Sequence, residues 1–290
     1  MKKIIILIPV FNDWQSLNKL ITEIEENIRD IKNFSFACLI VNDASTIDQF
    51  NLKKPKSFSS LKILNMKINK GHARCNAFGI RYVSENENFD YLIIMDGDGE
   101  DRPAEIKSFI DVIEKDKDKS IVAKRVKRSE GFFFKFLYFM HKFITLVFTG
   151  KKINFGNYTC LTNNDARKIS SEASLWSSFS GTFKKKIENF NEIDSLRGVR
   201  YFGPSKMSLF KLIIHSFAII AVFKFKVFFR IFLFMAILIY LKSFFGIFSV
   251  LSQILILSFG LAIFLVSLRE NKSELLKCHE NLENEEDITH

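Results

Sequence analysis

The chain has 290 residues, a net charge of +10 and a composition that is 48% hydrophobic although 26% of its residues are charged. These figures argue against a wholly soluble globule, because the apolar residues are segregated: between Arg230 and Arg269 the only charged side chain is Lys242. They also argue against a disordered chain, and 12 glycines with 4 prolines exclude a collagen-like repeat.

The first two hundred residues predict a parallel α/β sheet, because short apolar runs alternate with helical patterns. Strands are predicted at 4–8, 36–41, 61–66 and 91–95, and helices at 17–28 and 72–84. Polar clusters follow three of these strands, at 12–13, 42–48 and 96–98. Ligands of such sheets bind beyond the carboxyl ends of the strands, so the clusters predict a site on that edge.

The later part of the chain predicts contact with a membrane. An aromatic and basic helix at 132–148 fits a membrane interface and a core helix about equally, and 206–230 is typical of an amphipathic juxtamembrane helix. Residues 231–268 are almost uncharged and long enough for two spans, placed near 225–242 and 248–268; a single tilted span is the alternative. The acidic tail, 269–290, is expected to be frayed.

Cysteine and histidine patterns predict no metal module. The four cysteines are scattered without a CxxC pair, so reduced thiols are expected rather than a disulfide framework or a zinc site. The five histidines show no metal-ligand spacing, and each is interpreted as a surface or structural residue.

The strongest chemical signal is an acidic turn after the strand at 91–95. It places four carboxylates within six residues, those of Asp96, Asp98, Glu100 and Asp101. Such carboxylates repel one another unless a divalent cation, Mg²⁺ or Mn²⁺, bridges them to a diphosphate. The alternative is a solvated turn that opens the helix at Pro103.

A basic cluster follows the apolar run 121–123. Its two arginines, Arg125 and Arg128, lie three residues apart and can clamp phosphate oxygens through charge-assisted bonds. A basic rim attracted to anionic lipid headgroups is the alternative interpretation.

Four segments in chain order resemble family 2 glycosyltransferases of the GT-A fold: 8–14, 41–46, 69–73 and the acidic turn. Within that family the resemblance is strongest to the polyprenyl- or dolichyl-phosphate sugar synthases and their membrane-anchored bacterial members. It covers about residues 3–230. It implies an α/β, Rossmann-like catalytic domain with a mostly parallel sheet at 1–205, juxtamembrane helices at 206–230, a two-helix transmembrane hairpin at 231–268 and an acidic cytosolic tail at 269–290.

The resemblance also implies roles for individual residues. Asp13 stands where the family more often has Glu, and Asn42 replaces the first acid of the family's turn. The segment at 200–206 is similar to an RxxGxSK-like segment of the family, although its Gly-Pro pair is equally typical of a turn. The implied nucleotide-sugar site comprises Pro9, Asn12, Asp13, Asp43, Asp96 and Gly97; the metal ligands are Asp96, Asp98 and Glu100; the catalytic residues are Asp98, Arg125 and Arg128; and the acceptor phosphate meets Arg125, Arg128, Ser205 and Lys206.

The predicted function is inverting transfer of a sugar from a nucleotide-diphospho-sugar to a polyprenyl phosphate, with Mg²⁺ or Mn²⁺ as cofactor. A phosphate acceptor is already anionic and needs no strong general base, whereas a hydroxyl of a lipid-linked glycan, the first alternative, does. A non-catalytic membrane scaffold with a degenerate pocket is the second alternative, and a transport component, which two short apolar spans disfavour, is the third.

Location and partners follow from the same features. Basic residues outside both ends of the apolar segment predict that the catalytic domain and both termini are cytosolic, in a multi-pass protein of the inner (cytoplasmic) membrane. Membrane lipids are expected partners, a homo-oligomer is left open, and nucleic acid is not expected because the basic charge clusters beside the apolar segment.

Overall fold

A mixed sheet of eight strands organises the computed structural model, which describes residues 1–47, 49, 52–127, 132–204 and 208–289. The strands are β1 (Lys2–Val10), β2 (Phe34–Asn42), β3 (Phe58–Met66), β4 (Tyr91–Ile94), β5 (Ile121–Lys127), β6 (Phe155–Thr162), β7 (Asn191–Leu196) and β8 (Leu282–Asp287). They lie in the order β7-β5-β6-β4-β1-β2-β3-β8. The pairs β1–β2, β1–β4, β2–β3 and β5–β7 are parallel, whereas β6 and β8 run antiparallel to their neighbours.

Helices connect the strands and cover both faces of the sheet. Those of the α/β region are α1 (Trp14–Ile28), α2 (His72–Asn86), α3 (Ile106–Lys115), α4 (Phe132–Thr149), α5 (Asn163–Ser170) and α6 (Phe179–Lys186). The helices that follow are α7 (Leu209–Ala221), α8 (Lys224–Tyr240), α9 (Lys242–Phe245), α10 (Ile247–Ser267) and α11 (Lys272–Leu276). The prediction of an α/β fold with a mostly parallel sheet is confirmed.

Strand β1, at the centre of the sheet, is apolar from Ile4 to Val10 because both of its faces are covered there. Ile4, Ile6 and Ile8 pack with α1 and α3 on one face, while Ile5 and Leu7 pack with α2, α5 and α6 on the other. A near-continuous apolar run is what a parallel strand buried on two sides requires. The central strands are therefore fixed, and their carboxyl ends present a rigid edge.

The acidic tail is ordered, and the prediction that it is frayed is wrong. Strand β8 pairs antiparallel with β3, so the tail forms one edge of the eight-stranded sheet. Side chains hold it there: the Tyr82 hydroxyl donates to the Glu285 carboxylate at 2.7 Å, and Lys62 lies 3.5 Å from the same carboxylate. Glu285 is therefore paired with partners on β3 and α2, although the side chains of β8 are mostly exposed.

Helices α8 and α10 pack against each other, and a polar contact joins them near each end of the pair. At the base, Lys224 Nζ lies 2.8 Å from a carboxylate oxygen of Glu270. At the tip, the Ser249 hydroxyl donates to the Leu238 carbonyl at 2.6 Å. Among the described residues one helical stretch, Ile247–Leu276, is long and apolar enough to cross a membrane, with a mean hydropathy of 2.3. Helix α8 has 17 residues and does not reach that length, so the second predicted span is not confirmed.

Candidate active site

The polar clusters singled out from the sequence meet at the carboxyl edge of the sheet. Strand β1 lies between β2 and β4, so the corner after β1 faces the loop after β2 on one side and the acidic turn on the other. A Cβ on Gly97 would lie 3.1 Å from the Pro9 carbonyl oxygen, closer than an ordinary contact. Glycine at this position therefore lets the acidic turn approach β1.

Asn12 joins the first two loops of this edge. Its backbone is left-handed, with φ of 51°, and its side-chain oxygen accepts hydrogen bonds from the amides of Thr46 and Ile47 at 2.8 and 3.1 Å. Its own amide donates to the Ser45 hydroxyl at 2.9 Å. The side chain thus fixes the corner, and Asn tolerates this backbone conformation better than most residues.

Asp43 is buried and supports the loop between β3 and α2. One carboxylate oxygen accepts from the amide of Lys70 and the other from that of Gly71, both at 2.8 Å. Burial raises the pKa of Asp43, and these two backbone bonds offset only part of that rise. Both oxygens already have partners, so contact with a base or ribose stays a prediction for this residue.

The acidic turn is folded around its own carboxylates. Asp101 is buried and accepts from the Asp96 amide at 2.9 Å. Asp96 lies 3.2 Å from His72 Nε2 and 3.3 Å from the Asn157 side-chain amide. Burial and the neighbouring Asp96 charge raise the pKa of Asp101, and Asp98 has a raised pKa for the same two reasons. Burial alone would also raise the pKa of Asp96, but His72 and Arg125 outweigh it and lower that pKa.

A loop at 197–202, here called the arginine loop, lies across the acidic turn. Arg200 pairs with Asp98 at 2.7 Å and also with Asp13, while Arg197 pairs with Glu100. Backbone bonds hold the loop down: the amide of Tyr201 donates to the Asp98 carbonyl at 3.0 Å. Two guanidinium groups therefore supply the positive charge that this cluster of carboxylates needs.

The chemistry of the donor set suits a hard divalent cation. The carboxylates of Asp96 and Asp98 are oxygen donors of the kind that Mg²⁺ and Mn²⁺ prefer, and the Arg200 guanidinium already acts as a stand-in cation beside Asp98. Glu100 pairs with Arg197 instead, and no three His, Cys, Asp or Glu side chains within the described ranges are arranged to hold a metal. Asp96 and Asp98 are thus donors of the right chemical type, and their assignment as metal ligands stays a prediction.

The basic cluster is described only in part. The Arg125 guanidinium lies against Gly156, where a Cβ would come within 2.8 Å of Nη2, and it is close enough to Asp96 to lower that residue's pKa. Arg125 thus lies near the acidic turn, and its role as a phosphate ligand stays a prediction. Arg128, Ser205 and Lys206 lie outside the described residues, and their roles stay predictions.

Three side chains at this site were underestimated from the sequence. His72 was interpreted as a surface or structural residue, yet its Nε2 lies between Asp96 and Asn157, 2.7 Å from the amide nitrogen of the latter. Burial lowers the pKa of His72, but attraction to the carboxylates of the turn gives a net rise. Arg197 and Arg200 lie just before the apolar helices. In this region the sequence pattern predicted roles only for Ser205 and Lys206, so the two arginines were missed.

Comparisons with known proteins agree with this arrangement. A sequence model described as "Glycosyl transferase family 2" matches residues 5–200. An undecaprenyl-phosphate 4-deoxy-4-formamido-L-arabinose transferase of Serratia proteamaculans is 28% identical over 222 residues, and one of Yersinia enterocolitica is 29% identical over 222 residues. The alignments span 73% of this chain but only 65% and 64% of those relatives.

Among solved structures, glucosyl-3-phosphoglycerate synthase of Mycobacterium tuberculosis, in complex with Mn²⁺, UDP-glucose and phosphoglyceric acid, has a TM-score of 0.54 at 10% identity. That likeness covers 78% of this chain and 80% of the synthase, and it shows a shared GT-A-like fold.

Proposed function

The chain belongs to glycosyl transferase family 2, and from this premise we propose that it is a membrane-anchored inverting enzyme that transfers a sugar from a nucleotide-diphospho-sugar to a polyprenyl phosphate. The observation that carries the proposal is the acidic turn at the sheet edge, where Asp96 and Asp98 are balanced by Arg125, Arg200 and His72. Such a site suits a metal diphosphate on one side and an anionic acceptor on the other.

The donor binds along the edge of the sheet in this proposal. Its diphosphate lies at the acidic turn, where Gly97 keeps the backbone close to Pro9. Asn12 shapes the nucleotide pocket by fixing the corner after β1, and Asp43 shapes it through the loop at Lys70 and Gly71. Asp13 helps to hold Arg200 over the site.

Asp96 and Asp98 would hold the divalent cation. A cation bound there would stabilise negative charge on the departing nucleoside diphosphate. Arg200 pairs with both Asp98 and Asp13, so its guanidinium is held at the edge of the cleft. There it adds to the positive potential of the cleft, which favours an incoming phosphate.

The acceptor phosphate is assigned to Arg125, with Arg128, Ser205 and Lys206 as further proposed contacts. A phosphate monoester is already an anionic nucleophile, so positioning by cations is sufficient and no general base is needed. The relatives with the highest identity reported above are named as transferases to undecaprenyl phosphate, which supports a lipid phosphate as the acceptor here.

Anchoring is proposed through the α8–α10 hairpin. Its apolar side chains form an exposed surface larger than soluble proteins usually leave in water. Phe225 is 79% exposed, Phe248 71% and Leu255 72%. Helix α10, with 21 residues, is about 31 Å long, and α8, with 17, is about 25 Å. The length of α10 matches the hydrocarbon core of a bilayer, about 30 Å. The shorter α8 could span the core where the bilayer is locally thinner.

The position of β8 supports two crossings over one. The chain leaves the α/β region through α7 and returns to it, because β8 pairs with β3 of the catalytic sheet. A chain whose two ends lie on the same side must cross a membrane an even number of times. A single tilted span would separate β8 from the sheet, so the two-span hairpin with both of its ends on the catalytic side is the arrangement we propose.

The test is a transfer assay on detergent-solubilised protein, using a panel of nucleotide sugars with polyprenyl phosphate as the acceptor. We expect transfer with at least one donor, and its loss on addition of EDTA with recovery in excess Mg²⁺ or Mn²⁺. Transfer only to a hydroxyl of a lipid-linked glycan would overturn the proposed acceptor. Failure of every nucleotide sugar to bind would favour the scaffold.

A further inference from the structure

A cavity lies on the same edge of the sheet as the acidic turn, beside the ends of β2 and β3. It has a volume of about 400 Å³, and residues of three segments line it. Asn42 and Ser45 come from the end of β2 and the loop after it, Asn65 from the end of β3, and Glu283 and Asn284 from β8. The tail strand, although it follows the apolar helices in the chain, therefore forms one wall of a cavity in the catalytic region.

A relay of amides runs along this wall. The Asn42 side-chain amide donates to the Asn65 oxygen at 2.9 Å, and the Asn65 amide donates to the Asn284 oxygen at 2.7 Å. The Ser45 amide in turn donates to the Asn42 oxygen at 3.0 Å. Each of these hydrogen bonds fixes the orientation of the next side-chain amide, and the last one is accepted by the Asn284 oxygen. The NH₂ group of Asn284 is the donor that this side chain can offer to a ligand.

The place of the cavity relative to the acidic turn matches the length of a nucleotide. In the sheet order β4-β1-β2-β3-β8, the acidic turn follows β4 and the cavity lies beside β2, β3 and β8. Gly97 brings the acidic turn against Pro9 of β1, and β1 is two strand spacings, about 10 Å, from β3 at the middle of the cavity. A ribose and its phosphates bridge such a gap. With the diphosphate at Asp96 and Asp98, the base arrives at the amide relay.

We propose that the tail strand β8 completes the pocket for the nucleobase of the donor, with Asn284 donating a hydrogen bond to the base edge and Glu283 accepting one from it. The inference rests on the proposed function and adds to it a base-recognising segment from beyond the membrane hairpin. Uracil and guanine match this pair well, because each carries a carbonyl oxygen next to a ring N–H.

The experiment measures binding of nucleoside diphosphates and of inorganic pyrophosphate to the full-length detergent-solubilised protein, in the presence of Mg²⁺. Asn284→Ala is compared with Glu286→Gln, which alters an exposed residue of β8 that does not line the cavity and keeps an oxygen to accept the hydrogen bond from Gln49. We expect Asn284→Ala to weaken the preferred nucleoside diphosphate about three- to tenfold, the worth of one hydrogen bond, and to leave pyrophosphate unchanged. Glu286→Gln should change neither affinity.

Three outcomes separate the ideas. Equal weakening of pyrophosphate and nucleotide by Asn284→Ala would mean that β8 acts only through the stability of the sheet, and the inference would be lost. Unchanged nucleotide affinity in that variant would also overturn it. If the unaltered protein binds no nucleoside diphosphate at all, it is the proposed function that fails.

Discussion

At the scale of single residues, the site is governed by how carboxylates are compensated. The Asp101 carboxylate accepts a hydrogen bond from the Asp96 amide, and Asp98 forms an ion pair with Arg200. The Asp43 carboxylate accepts hydrogen bonds from two backbone amides of the loop after β3. The acidic turn was recognisable in the sequence because four acids in six residues require compensation. The sequence could not show which cations supply it, because Arg200 is 102 positions away from Asp98 and only the fold brings them together.

Asp98→Ala should reduce transfer by at least about a hundredfold, because it removes an oxygen ligand at the point where charge develops on the leaving group. Initial rates with saturating metal measure the effect, with the exposed Asp111→Ala as the matched control. The variant should still enter the membrane fraction. Turnover equal to that of the control would exclude Asp98 from the metal site.

Arg125→Ala should raise the KM for polyprenyl phosphate more than the dissociation constant of the nucleotide sugar, because its guanidinium is assigned to the acceptor. Steady-state kinetics with each substrate varied in turn separate the two effects. Arg167→Ala, an exposed arginine on α5, serves as the control. Equal losses for both substrates would contradict the assignment.

Ala44 adopts a left-handed backbone, with φ of 56°, a conformation that favours glycine. Relief of this strain outweighs the extra freedom that glycine has in the unfolded chain, so Ala44→Gly should raise the free energy of unfolding by about 0.5–1 kcal/mol. Chemical unfolding in detergent measures it. Ala73→Gly, in helix α2, should have the opposite sign, and a loss of stability in both variants would argue against strain at Ala44.

At the scale of secondary structure, periodicity predicted the elements with apolar cores and missed those without. Strands β1, β2 and β4 were found because they are apolar on both faces, and the bounds of α8 and α10 agree closely with the predicted spans. Strand β8 was missed because its sequence, Leu-Glu-Asn-Glu-Glu-Asp, has no apolar alternation. Its pairing depends on the exposed edge of β3 and on Lys62 and Tyr82, which local patterns do not reveal.

The hairpin depends on close approach of its two helices at Gly260. A Cβ there would lie 3.0 Å from Cδ1 of Ile231, so Gly260→Val should force the helices apart and lower the stability by about 1–3 kcal/mol. Thermal unfolding in detergent provides the measurement. Leu261→Val, on the exposed face of α10, is the matched control and should cost much less. Equal shifts for the two variants would contradict tight packing at this point.

At the scale of the whole molecule, the fold places a polar site and an apolar anchor on one rigid body. Helix α4 links the two, since Arg230 of α8 donates to the Leu146 carbonyl at 3.2 Å and to that of Val147 at the end of α4. A guanidinium suits the negative end of a helix dipole. These contacts join the α/β region to the hairpin, which fits the proposed use of a lipid-borne acceptor.

The two-span topology can be measured with single cysteines, because all four native cysteines are buried. In oriented membrane vesicles, Ser243→Cys at the hairpin tip and Ser273→Cys near the start of α11 should react with a membrane-impermeant thiol reagent from opposite sides. The unaltered protein gives the background. Labelling of both positions from the same side would rule out a hairpin that spans the bilayer.

The return of the tail to the sheet also orders events during synthesis. The ribosome delivers β1 to β7 first, then the apolar helices, and only afterwards the strand that pairs with β3. Until that moment the β3 edge has no strand partner, and the amide relay lacks its last member. In the proposed arrangement, a nascent chain whose hairpin is not inserted correctly would lack the last strand of the proposed base pocket, and folding of this edge of the sheet would depend on insertion into the bilayer.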